Sequence, residues 1–103
     1  MKYLVELSDL AKSEIDENYA WWLANRSPAQ ADRWLKQISR RISSIADDPF
    51  RFALAPESVI FPFEMRQMLF SIGRRPTHRI VFQVRGNTIE VYSVKHVSRK
   101  GPT

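Results

Sequence analysis

The chain has 103 residues, 44% hydrophobic and 26% charged, with three glycines, six prolines and no cysteine. This length builds one core rather than two, and the composition excludes a disordered chain or a membrane span of about 20 apolar residues. The formal charge of +5 is uneven: residues 1–48 carry seven basic and eight acidic groups, residues 49–103 nine and three.

Residues 1–12 (MKYLVELSDLAK) lack the apolar stretch of a secretory signal. Tyr3–Leu7 is a short apolar run that reads as a strand. Ser8 then offers an N-cap hydroxyl, and Ala11, Ile15, Tyr19, Trp22 and Leu23 follow at helical spacing up to Asn25 and Arg26. Trp21 lies off that stripe and is expected at the surface. Ser27-Pro28-Ala29-Gln30 places Ser, Pro and Gln where a capping box needs them. Ala31, Trp34, Leu35, Ile38, Ile42 and Ile45 keep one apolar stripe, with Arg33, Lys36, Arg40 and Arg41 on the other side. Asp47-Asp48-Pro49 stops this second helix, because Pro49 cannot continue it. The two helices form a hairpin.

Residues 49–63 hold three prolines among many apolar groups, an irregular loop pinned to the body. Three strands follow as an antiparallel meander: Met65–Ile72, Thr77–Val84 and Thr88–Lys95. Gly73 to Pro76 and Arg85-Gly86-Asn87 supply the turns. Strict alternation puts Ile80, Phe82, Val84, Ile89 and Val91 toward the core. It leaves Arg79, Val81, Gln83, Glu90, Tyr92, Val94 and His96 on an open face. The first meander strand is ambiguous, since Arg66, Met68 and Phe70 share one face and Met65 and Leu69 the other. The expected fold is α+β: a strand and a helical hairpin packed on a small antiparallel sheet, over 1–103 as a single domain.

The basic second half suits a polyanion or an acidic protein partner. Two histidines and no cysteine make a poor metal-ligand set, and no glycine-rich phosphate loop or nucleophile elbow is present. No cofactor is expected. Metal-free cleavage of RNA remains open, because the 2′-hydroxyl is the nucleophile. Such cleavage needs an acid and a base, with cations for the phosphorane charge. His96 with Glu57 or Glu64 could move protons, and Arg66, Arg79, Lys95 and Arg99 could hold phosphate.

The order of elements resembles the RelE/ParE superfamily of toxins from bacterial type II toxin–antitoxin modules, over nearly the whole chain. The residues that carry the resemblance begin with Leu7-Ser8-x-x-Ala11, Ser27-Pro28-x-x-Ala31 and Asp48-Pro49. Met65-Arg66, His78-Arg79-Ile80-Val81-Phe82 and Val94-Lys95-His96 complete the set. The resemblance implies a cytoplasmic toxin neutralised by a cognate antitoxin. RelE-like members cleave mRNA on the ribosome, whereas ParE-like members inhibit DNA gyrase by binding. The first reading is the primary expectation and the second its alternative; a module that has lost toxicity is a third.

By this resemblance Arg66, Arg79, His96 and Glu57 would be catalytic, and Lys95, Arg99, Lys100, Arg74 and Arg75 would bind RNA. Met68, Phe70, Val81 and Val94 would offer the antitoxin an apolar sheet face, with acidic groups meeting Arg66 and Arg79. Two departures stand out. Val97 and Ser98 follow His96 where RNA-cleaving relatives often have a tyrosine, and residues 49–64 hold only Arg51 where others have a lysine-rich loop. The polar stripe Arg33, Lys36, Arg40 and Arg41 leans toward the ParE-like reading.

Overall fold

Two serines start the two helices. The Ser8 hydroxyl accepts the Ala11 N–H at 3.0 Å and opens α1 (Asp9–Asn25). Ser27 does the same for Gln30 at 3.2 Å, with Pro28 in the first turn of α2 (Pro28–Ser44). Each cap satisfies an amide without an intrahelical partner and typically contributes about 1 kcal/mol. In the second helix Arg33, Lys36, Arg40 and Arg41 stand exposed, as their spacing predicts. At the helix end a 3-10 turn (Ile45–Asp47) leads to Pro49.

The computed structural model describes residues 3–71 and 76–97. Four strands, β1 (Leu4–Leu7), β2 (Arg66–Ser71), β3 (Pro76–Arg85) and β4 (Thr88–His96), form one sheet in the order β1-β4-β3-β2. The last three are the expected antiparallel meander. The first strand joins it parallel to β4, from Leu4 opposite Thr88 to Leu7 opposite Val91, and makes the sheet mixed. Gly86 turns the chain between β3 and β4 at φ 58°, in the left-handed region that glycine enters without penalty.

The apolar stripe of α2 meets one face of this sheet. Trp34, Ile38, Ile42 and Ile45 are buried there with Phe70, Ile80, Phe82, Ile89 and Val91. From α1, Ala11 and Ile15 are buried, and Tyr19 and Trp22 half-buried. Leu23 is exposed, because it lies about 100° round the helix from Trp22. Trp21 is exposed, as predicted.

The alternation expected of β4 fails at one residue. Phe82 pairs with Val91, but Val81 pairs with Ser93, so Tyr92 is an extra residue with no partner opposite. Such a bulge reverses the inward and outward sense of the residues beyond it. Val94 therefore sits opposite Ile80 on the helix side, and His96 opposite His78. The first helix grips this point. Ser8 donates its hydroxyl to the Tyr92 carbonyl and its N–H to that of Val91. One oxygen of Glu14 accepts the Ser93 hydroxyl at 2.7 Å and the Val94 N–H at 2.8 Å.

The expected open apolar face is corrected on both counts. Met68 lies opposite Ile80 and Phe70 opposite His78, so with Val94 they point under the helices and are buried. Val81 faces the other way and is also buried, in a second cluster with Ala55 and Met65 under Phe61 and Tyr92. The proline-rich segment supplies that cover. Ser58 accepts the Met65 N–H at 2.7 Å and donates to its carbonyl at 2.8 Å. Ala55 and Gln67 add main-chain bonds to Met65 and Ala53.

The Glu14 carboxylate takes up a main-chain donor where the ladder is interrupted. Glu14→Ala is expected to lower stability by about 1–3 kcal/mol in urea unfolding, and Glu14→Gln, which keeps an acceptor, by less.

Candidate functional site

Sheet parity sorts the predicted catalytic residues. Arg79 shares its face with Val81, away from the helices. There Glu57 reaches it from a 3-10 turn (Pro56–Val59). The Arg79 guanidinium donates to both Glu57 carboxylate oxygens, at 2.7 and 3.2 Å, and to Gln67 Oε1 at 2.7 Å. Both side chains of the ion pair are largely buried, 21% and 13% exposed. Lys95 pairs with Arg79 across the strands, and its ammonium lies 6.0 Å from the centre of the Tyr92 ring. Glu57, Arg79 and Lys95 are thus brought together, as the sequence suggested, with Gln67 added. Gln67 is legible only once the register of β2 places it with Leu69 on the outward face.

The other two expected catalytic groups are elsewhere. Arg66 pairs with Phe82 on the opposite side of the sheet from Arg79. Its guanidinium donates to the Phe52 carbonyl at 2.7 Å and to Glu64 at 3.2 Å, and lies 5.2 Å from the Phe50 ring centre. It clamps the start of the loop to the edge of β2. His96 is on the helix side at the far end of β4, its ring 5.0 Å from that of His78. His78 is buried, with Nε2 3.0 Å from Asn18 Oδ1 and Nδ1 2.9 Å from Thr77 Oγ1. Sequence reading gives His78 no role; a histidine between Thr77 and Arg79 shows no sign of burial until the sheet face is known. Arg74, Arg75, Arg99 and Lys100 lie outside the described residues.

The electrostatics of Glu57 follow from its neighbours. Hydrogen bonds from Arg79 hold its carboxyl below the usual carboxylate range, against the opposing effect of partial burial. The Arg79 and Lys95 charges act in the same direction as the hydrogen bonds. A carboxylate so held is a weak proton acceptor. With His96 across the sheet, these groups form a cationic, apolar-bordered surface and not a converging acid–base pair.

A small basic α+β protein with such a surface is suited to binding. The sequence profile described as "ParE toxin of type II toxin-antitoxin system, parDE" matches residues 5–101. The chain therefore belongs to the ParE toxin family, within the RelE/ParE superfamily, and a cognate antitoxin is its implied partner. A solved structure titled "Chromosomal ParDE TA system from P. aeruginosa" is similar, with a TM-score of 0.73 over 92% of this chain and 96% of that chain. At 16% identity that likeness shows the fold. No curated protein matches. Among the described residues no helix is long and apolar enough to cross a membrane.

Because the folded Glu57 pKa is depressed, its stabilising contribution is full above the unfolded carboxylate range and lost as pH falls through the folded value. Thermal melting should therefore decline more steeply for the native protein than for Glu57→Gln between about pH 5 and pH 3. Parallel declines would show that the ion pair contributes nothing.

Proposed function

We propose that this chain is a growth-arresting toxin that acts by binding DNA gyrase, not by cutting mRNA, and acts in the cytoplasm as a single toxin domain. Membership of the ParE family supports the reading, since the ParE-like branch of the superfamily is the gyrase-inhibiting one. The observation that carries it is the separation of His96 and Arg79 on opposite faces of one sheet. Metal-free cleavage of RNA needs proton transfer and charge stabilisation at one phosphate. Here Arg79 is engaged by Glu57, Arg66 by loop carbonyls and Glu64, and His96 is turned toward His78. Each of these three residues already holds the fold together or points away from the others.

The test is supercoiling by purified gyrase with added toxin, run beside a ribosome-bound mRNA cleavage assay. Supercoiling should be inhibited and mRNA left intact, and His96→Ala should keep inhibition within about twofold, as expected of a residue outside the binding energy. Cleavage of mRNA that His96→Ala abolishes would overturn the proposal.

A further inference from the structure

We infer that the tip of the proline-rich segment, Val59 and Ile60, is the knob by which the toxin enters an acid-rimmed apolar pocket on a folded target protein. The inference rests on the reading of toxicity as target binding and names the part of the toxin that binds.

Val59 is 87% exposed and Ile60 79%, more than any other large apolar side chain among the described residues. An isolated apolar residue at the surface is ordinary. Two adjacent β-branched ones at the apex of a pinned turn, with Phe63 also exposed nearby, are not. The tip is held from both sides. Before it, Glu57 is bound to Arg79 and Ser58 to Met65. After it, Phe61 stacks on Phe63 and packs against Tyr92, with ring centres 5.3 Å apart in each case. Within the turn the Ile60 N–H bonds the Glu57 carbonyl at 3.1 Å. A tip ordered before binding loses little entropy on docking.

Shape and charge select the occupant. Side chains this exposed form a convex point, and a convex point needs a concavity. A short isolated helix or strand offers none, whereas a folded protein can. The charge on the tip's flank sums to positive: one carboxylate, Glu57, faces two cations, Arg79 bound to it and Lys95 over the Tyr92 ring. A complementary pocket is apolar within and carries carboxylates at its rim.

Val59→Ser/Ile60→Ser and Lys95→Glu variants test this, with three readouts: growth arrest on induction, supercoiling by purified gyrase, and affinity for the cognate antitoxin. Val59 and Ile60 are exposed and Lys95 half-buried, and unchanged melting temperatures verify the fold of both variants. The double variant should lose toxicity and raise the inhibitory concentration about tenfold or more, with antitoxin affinity unchanged. Lys95→Glu should weaken inhibition in the same direction. Full toxicity in the double variant would overturn the inference, as would an equal loss of antitoxin affinity, which would assign the tip to the antitoxin. If the native toxin arrests growth without affecting gyrase, the gyrase reading fails; the knob then stands or falls on the growth assay alone.

Discussion

A single unpaired residue, Tyr92, fixes the arrangement of everything of interest in this molecule. The bulge it makes in β4 allows Val91 and Val94 both to enter the core, though an unbroken strand would send one of them outward. It turns His96 toward His78 and leaves Tyr92 as the platform on which Phe61 rests. The cost of interrupting the ladder is met by α1, whose Ser8 and Glu14 satisfy main-chain groups on either side of the irregularity. Core packing on one face and loop anchoring on the other thus share one origin.

The second face shows how a small protein places its charge. Arg79 would be costly in a half-buried position without a counterion. Glu57 supplies one, and in doing so ties the proline-rich turn to the sheet. Arg66 does the same at the loop's entry with carbonyls and Glu64. Two arginines that look catalytic by residue type alone are, in place, the fasteners of the segment that carries the most exposed apolar groups. The proposed binding role rests on this placement more than on the fold, which the superfamily shares.

Much of the architecture could be read from the chain. Ser8, Ser27, Pro28 and Gln30 mark helix starts because capping chemistry is local, and the stripe through Trp34, Ile38 and Ile42 follows from helix period alone. The meander and the turn at Gly86 were legible for the same reason. The faces of Val94 and His96 were not, because a bulge depends on what α1 presents to it across more than seventy residues of sequence. Nor was the cover over Val81, which comes from irregular backbone with no period to read. Glu57 and Arg79 were singled out by chemistry and do meet, as an ion pair. The parallel partnership of β1 was invisible for want of any local signal.

That partnership also bears on how the protein comes into being. The inner strands β3 and β4 bridge the two margins of the sheet, and β4 is synthesised after the other three. Until it emerges, β1 has nothing to pair with, the hairpin has only part of a floor, and Tyr92 is not there to seat the loop. Pairing strands so distant in the chain, and in parallel, is intrinsically slow, because loop-closure entropy is lost before the contacts compensate for it. Until β4 is in place the nascent polypeptide therefore lacks the ring on which Phe61 rests and the strand that β1 pairs with.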